Sequence, residues 1–397
     1  MTAGGGEAFR QLGFAVLPGA IGEAGNAGVG HGDNADNAHN DAHGAGGADG
    51  VGGSEAGRPG HAGRDSARAQ AEVHIPSASA LVQAEFEIPP DSPLFEGHFP
   101  GKPILPGIAH LALVQRALID LAAWRTAAEA GGAGESSAAS IRAAGLAPAG
   151  GRAGAVGTEI VAVRNLRLRL PVNPGDRLAL RLTAHAGGSF RFDLRRGAEL
   201  VSQGEVRAAR NDGAWPSPPR EPGINAALSA ATIPPEATEE GGLGGPKRDF
   251  PLPADLLPHA PPARLLRAVL AAGAGGIVCA AVVPASHPLA VNAKAPGFLG
   301  LEIAAQAAAC LEALRRPRIG APPIGYLVGV RHAHLAPTLP CDTLLQVRAI
   351  PAGNAAALTI YDFEVHLAAA NPNAASAARE AGELLAAGTL STYLLLG

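Results

Sequence analysis

Cysteine and aromatic residues are scarce in this chain, and neither charge sign gathers into a run. The three cysteines, Cys279, Cys310 and Cys341, stand far apart with no paired spacing, which excludes a disulfide framework and a zinc knuckle. A reducing, cytoplasmic setting is therefore expected. Aromatic residues make up only 4% of 397 residues, and much of the 47% hydrophobic fraction is alanine, so any core must rest on Leu, Val and Ile. Lys and Arg total 31 against 35 Asp and Glu, a formal net charge of -4, and without a long basic run an electrostatic grip on nucleic acid is excluded. The amino-terminal stretch lacks a basic segment followed by a sustained apolar one, so no secretory signal is expected. Residues 268–285 carry no charge, but Gly273, Gly275 and Gly276 interrupt them. Two strands joined by a glycine turn are expected there in place of a membrane span.

Large apolar side chains are almost absent from residues 24–72, which are rich in Gly, Ala, Asn, Asp and His. Such a segment buries too little surface to offset its ordering entropy, and disorder is expected. His31, His39, His43 and His61 within it show no ligand spacing, so no metal site is expected. Before it, residues 9–18 are apolar enough for a strand or short helix. Residues 127–157 form a Gly, Ala and Ser mixture without apolar periodicity, and 212–247 are Pro-rich. The chain then divides into 1–75, an amino-terminal element followed by low complexity; 76–210, a first folded unit with a disordered insertion near 127–157; 211–249, a linker; and 250–397, a second folded unit.

What the sequence does hold is a dense motif, Phe95-Glu96-Gly97-His98-Phe99-Pro100-Gly101-Lys102-Pro103-Ile104-Leu105-Pro106-Gly107. The prolines fix φ and remove donors, and the glycines permit turns that side chains forbid, so His98 is held between rigid bends just before an apolar helical stretch. A second segment, Pro296-Gly297-Phe298-Leu299-Gly300-Leu301-Glu302-Ile303-Ala304-Ala305-Gln306, opens another helix. Aligning Pro106-Gly107 with Pro296-Gly297 sets Glu302 opposite Ala112. A second parallel runs from Val163-Arg164 to Pro174, Gly175 and Asp176, and from Val330-Arg331 to Pro340, Cys341 and Asp342. The chain therefore reads as an internal duplication, with the extra residues of its first copy in 127–157.

The hydrophobic periods predict, for the first copy, a strand over 81–88, a helix over 106–126, and strands over 158–170, 177–184, 189–195 and 199–208. The apolar positions of 158–170 change face once, which predicts a bulge near Arg164. The second copy shows the same order, with strands over 265–271 and 276–283, a helix over 296–314, and strands over 325–336, 343–350, 356–367 and 380–396. The expected fold is α+β, a long helix wrapped by an antiparallel sheet in each copy.

The string around His98 resembles the His-Phe-Pro-Gly motif of the 3-hydroxyacyl-acyl-carrier-protein dehydratases, enzymes of the hot-dog fold that remove water from a 3-hydroxyacyl thioester. That resemblance implies a double hot-dog. It also implies a helix carboxylate fourteen residues after the histidine, and Ala112 occupies that place. In paired hot-dog subunits the histidine of one faces the carboxylate of the other, so the resemblance implies one site built from His98 and Glu302. The complementary site would join His287 to Ala112 and is expected to be degenerate. The second copy, with the helix string from Gly300 to Ala307 and Tyr326-Leu327-Val328-Gly329-Val330-Arg331, resembles the partner dehydratase subunit of aryl-polyene-type biosynthesis, and Leu257-Pro258-His259 resembles the start of many dehydratase subunits. The whole chain thus resembles a fusion of both subunits.

The residues suit that chemistry. Elimination β to a thioester needs a base for the α-proton, an acid for the hydroxyl and a donor for the thioester oxygen. His98 supplies the base. Glu302, among Leu299, Leu301 and Ile303, supplies the acid because desolvation favours its protonated form. The Gly107 amide at a helix start is the expected oxyanion donor, with Gly297 as its counterpart. Phe99 is expected to line the acyl site and Gln306 to orient Glu302. No cofactor is expected, and the implied partner is an acyl carrier protein bearing the acyl chain. Assembly into a homo-oligomer is left open. A hot-dog thioesterase and a non-catalytic acyl-binding subunit are the alternatives.

Overall fold

The computed structural model describes residues 15–16, 81–129, 142–144, 158–209, 250–316, 324–355, 358–368 and 382–395. Strand character in the first repeat follows strict alternation. Leu178, Leu180 and Leu182 point inward at no more than 2% exposure, while Arg177 and Arg181 face out. Phe190, Phe192 and Leu194 do the same on the next strand. A one-residue slip would turn either row to solvent, so the apolar pattern also sets the register.

In chain order the first repeat comprises β1 (Ala15–Val16), β2 (Leu81–Glu87), a helix (Ala109–Glu129), β3 (Arg142–Ala144), β4 (Glu159–Leu168), β5 (Arg177–Ala184), β6 (Ser189–Arg196) and β7 (Glu199–Ala209). The second comprises β8 (Leu266–Gly273), β9 (Gly276–Ala281), β10 (Lys294–Pro296), a helix (Leu299–Leu314), β11 (Ile324–Leu335), β12 (Thr338–Pro340), β13 (Leu345–Ala355), β14 (Leu358–Leu367) and β15 (Leu384–Leu395). Neighbours follow β2-β5-β6-β7-β4 in one repeat and β9-β13-β14-β15-β11 in the other, with β8 added outside β9. The two orders are the same once each strand is matched by its place before or after the helix, so the duplication extends to topology. Each repeat is a hot-dog, and together they form a double hot-dog.

The repeats join through antiparallel pairing of β4 with β11, where Val330 lies opposite Leu166 and His332 opposite Arg164. The result among the described residues is one sheet of 13 strands. Leu111, Ala112, Leu113, Val114 and Leu118 of the first helix are fully buried, as are Leu299, Leu301, Ile303, Ala304, Ala307 and Ala308 of the second. Burying one large apolar side chain contributes about 1.5–3 kcal/mol, and the alanines of the second helix let the sheet approach closely.

The charge-free stretch at 268–285 lies in β8 and β9, with Gly273 opposite Gly276 at their turn. The bulge expected near Arg164 lies on β4, where pairing with β7 slips between Arg164 and Arg167 and Asn165 takes φ 50°. Residues 9–18 contribute the short strand β1, with Ala15 opposite Glu87. Three details differ from expectation. Both helices begin three residues later than read, because a turn at Gly107-Ile108 and at Gly297-Phe298 leads into each helix. Within the expected insertion, Arg142–Ala144 pairs with β2, a strand that its Gly and Ala surroundings concealed. Strands β10 and β12 form a separate two-stranded sheet in a proline-bearing stretch that shows no alternation. The remaining residues of 24–72, 127–157 and the linker fall outside the described residues.

Candidate active site

The loop after β2 holds His98 by backbone bonds before any side chain contributes. His98 N donates to Phe95 O at 3.1 Å, Lys102 N to Phe99 O at 2.9 Å, and Leu105 N to Val172 O at 2.8 Å. Gly97 and Gly101 take φ of 73° and 85°, and Phe99 adopts φ 55° between them. His98 Nδ1 lies 2.6 Å from the Ile104 carbonyl oxygen. A carbonyl only accepts, so Nδ1 carries the proton and Nε2 presents a lone pair. Burial pushes the His98 pKa down to about 4, which keeps the imidazole neutral at physiological pH.

Glu302 sits in the first turn of the second helix and is 9% exposed. Burial raises its pKa, opposed in part by a hydrogen bond from Gln306. Gln306 is itself clamped. Its Oε1 accepts from Leu265 N at 2.9 Å, and its Nε2 donates to Ala263 O at 2.8 Å and to Glu302 Oε1 at 3.0 Å. With the amide oriented by two backbone groups, the remaining N–H has one direction to take. The carboxyl is thereby positioned one helical turn from its support.

His98 and Glu302 line the same cavity, which has a volume of about 320 Å³. Gly107, Phe99, Ala305, Gln306, Ala309, Tyr326 and Leu327 also contribute to its wall. Phe99 packs edge-on against His98, with ring centroids 4.3 Å apart, and reaches Tyr326 at 5.3 Å. A Cβ on Gly107 would come within 2.5 Å of Leu168 Cδ1, so the absent side chain is what leaves room at the helix entrance. Apolar residues such as Ile104, Leu105, Leu168, Leu170 and Val172 share the wall with His98, Glu302 and Gln306, a mixture typical of a small-molecule site.

Several expectations change here. Gly297 is not a free donor, because its amide donates to Pro337 O at 3.1 Å and a Cβ would lie 1.7 Å from the Ala336 carbonyl oxygen. It is a close-packing glycine. His287 is not the counterpart of His98. Its turn repeats that of Ser92: Ser92 N donates to Pro89 O and Phe95 N to Ser92 O, just as His287 N donates to Pro284 O and Ala290 N to His287 O. His287 Nδ1 accepts from Leu289 N at 3.1 Å, and the ring lines a small crevice that also touches His98 and Glu302. The expected pairing of His287 with Ala112 therefore gives way, and Ala112 is fully buried in its own core. His110 is buried, with Nδ1 2.9 Å from Ser202 Oγ.

His259, expected only as part of a Leu-Pro-His string, lies in the cavity wall. Its Nε2 is 3.6 Å from Glu302 Oε1, and its ring centroid is 5.3 Å from that of His98. One nitrogen of each imidazole and a Glu302 oxygen lie within 4.8 Å of one another. Ala260, the next residue, donates its amide to Gly97 O at 2.8 Å, which docks this segment of the second repeat on the loop of the first. The signal was present: Pro258, Pro261 and Pro262 bracket His259 much as prolines follow His98.

Two family models match. The model described as ApeI-like, ApeI dehydratase, covers residues 74–133, and that described as ApeP-like, ApeP dehydratase, covers residues 251–394. No curated protein matches the chain. Among solved structures, the chain is similar to the dehydratase domain of RzxB from Pseudomonas fluorescens, at 18% identity over 78% of this chain and 94% of that one, with a TM-score of 0.43. It is also similar to the PpsC dehydratase domain from Mycobacterium tuberculosis in complex with C12:1-CoA, at 16% identity over 79% and 94% with a TM-score of 0.44. The dehydratase heterocomplex ApeI:P from Xenorhabdus doucetiae matches at 21% identity over 37% of this chain and 93% of that one, with a TM-score of 0.31.

Proposed function

We propose that this chain, which carries an ApeI-like and an ApeP-like dehydratase segment in one polypeptide, removes water from 3-hydroxyacyl thioesters at a single composite site. The observation that carries this reading is the convergence of His98 from one repeat and Glu302 from the other on one cavity. His98 Nε2 takes the α-proton while the electron pair of that C–H bond forms the Cα–Cβ double bond. Glu302, whose protonated form is favoured by burial, gives its proton to the departing β-hydroxyl, and water leaves. Gly107 at the helix start lines the same cavity, and its amide is the donor assigned to the thioester oxygen. Gln306 fixes the acid. Phe99 and Tyr326 flank the acyl chain, and the thioester arrives on an acyl carrier protein.

Mass spectrometry of a 3-hydroxyacyl carrier protein incubated with the chain tests this. Loss of one water is expected with the wild type, and His98→Ala and Glu302→Gln should each slow it by about 10²–10⁴-fold. Water loss that survives Glu302→Gln would break the pairing across the repeats. Release of free acid in place of water would make the chain a thioesterase.

A further inference from the structure

The proposed elimination leaves a proton in the wrong place. Each turnover ends with His98 as imidazolium and Glu302 as carboxylate, whereas the next begins with neutral imidazole and protonated carboxyl. Before the next turnover His98 must therefore lose a proton and Glu302 must gain one, in a site where both groups are nearly enclosed. We propose that His259 is the residue that returns it, receiving the proton of His98 and passing it to Glu302.

Geometry carries this inference, which rests on the dehydratase reading above. His259 lies beside both groups, with its Nε2 3.6 Å from Glu302 Oε1 and its ring 5.3 Å from that of His98. The nitrogen and oxygen atoms concerned fall within 4.8 Å of one another, a gap closed by a small ring or carboxyl rotation once charge separates. Among the described residues, His259 Nδ1 is buried without a hydrogen-bond partner. A buried imidazole nitrogen left unpaired carries a penalty that a purely structural histidine would avoid. The ring is held from outside the site: Ala260 N binds Gly97 O, and Arg264 Nη1 reaches the His259 carbonyl at 3.4 Å. Burial, together with the nearby charges of His98 and Arg264, lowers the pKa of His259 to about 3. It therefore rests neutral and holds a proton only in passing, when the Glu302 carboxylate faces it.

The balance closes without a co-reactant. The N–H bond of the His98 imidazolium breaks as one forms on His259, and the His259 N–H bond then breaks as the Glu302 O–H forms. His259 touches neither the Cα–H nor the C–O bond, so it is a positioning residue for the proton and acts through His98 and Glu302.

The test separates the first turnover from those that follow. With 3-hydroxydecanoyl pantetheine as probe, rapid quench with enzyme in excess reads the first elimination, and steady-state assay reads repeated cycles. His259→Phe keeps a ring of similar shape but cannot carry a proton, and His259→Ala leaves an imidazole-sized hole. In both, steady-state turnover is expected to fall by about 10²-fold relative to the rate of the first elimination. Free imidazole should restore turnover in His259→Ala and not in His259→Phe. An equal fall in both phases for His259→Phe, or no fall in either, overturns the proposal. Absence of water loss with the wild type would overturn the dehydratase reading itself, and the relay with it.

Discussion

Ala260 of the second repeat donates its backbone amide to the carbonyl of Gly97 in the first, at 2.8 Å. A Cβ on Gly97 would lie 2.2 Å from the Ala260 carbonyl oxygen. This contact brings His98 and His259 onto the same cavity from different repeats. Gly97→Ala meets two obstacles, a φ of 73° and a backbone atom that cannot move aside. Gly101→Ala meets only the first, because nothing stands within 4 Å of its Cβ position. Thermal unfolding should show a loss of about 1–2 kcal/mol for Gly101→Ala and a larger one for Gly97→Ala, which should also lose water-loss activity. Equal losses would mean that the close approach does not matter.

The buried histidines predict an acid limit on stability. His98, His110 and His287 are pushed down to about 4, and His259 to about 3, from 6.5. Between those values and 6.5 the unfolded chain binds more protons than the folded one, so stability is complete above about pH 6.5 and drains as pH falls toward 4. A tenfold weaker hold on the proton in the folded state corresponds to about 1.4 kcal/mol per group. Glu302 acts in the opposite sense. Its raised pKa means that the folded state keeps the proton longer, so its burial has no penalty below about pH 4.5 and a growing one above it. Glu302→Gln should therefore raise the melting temperature more at pH 8 than at pH 5, measured by calorimetry across that range. A gain independent of pH would remove the desolvation argument.

The matched glycines at the two helix entrances should part company. Gly107 faces the cavity, and its added Cβ would press on the end of the flexible Leu168 side chain. Gly107→Ala should fold with little loss, while KM rises as the entrance narrows. Gly297→Ala forces a Cβ to within 1.7 Å of the Ala336 carbonyl oxygen and should lower the melting temperature sharply. Circular dichroism melts with steady-state kinetics on both variants decide the matter, and similar behaviour of the two would contradict their different surroundings.

Ala305 and Ala309 give the cavity its length along the second helix. Ala309 lies two turns beyond Glu302, which is ~10 Å along a helix. Ala309→Phe should leave short acyl thioesters unaffected and raise KM for chains that extend beyond that reach. A series of acyl lengths assayed with wild type and variant tests this, and a uniform change across the series would place the chain elsewhere.

Much of this arrangement was legible in residue order. The alternation of Leu and Arg over 177–182 announces both strand and inward face. The shared Pro-Gly before each helix set Glu302 against Ala112, and the resemblance to paired hot-dog dehydratases implied that Glu302 would meet His98. What escaped was set by the meeting of surfaces distant in sequence. His259 belongs to the other repeat and reaches His98 because Ala260 docks on Gly97, and spacing along one chain does not encode that contact. Gly297 looked like Gly107 because the local strings match, yet Gly107 lines the cavity and the Gly297 amide meets Pro337. His287 was misaligned for a similar reason. A shortened second-repeat loop moved the sequence register while the turn at Ser92 kept its backbone bonds.

The seam between β4 and β11 has a further consequence. Two hot-dog subunits encoded separately would assemble their shared site by mass action, and the fraction assembled would fall on dilution. Here the strand that carries Leu166 is hydrogen-bonded beside the strand that carries Val330 within one polypeptide, so the halves meet at a fixed effective concentration. Specific activity should then be independent of protein concentration as far as this pair is concerned, and the ratio of His98-bearing to Glu302-bearing halves is one to one by synthesis.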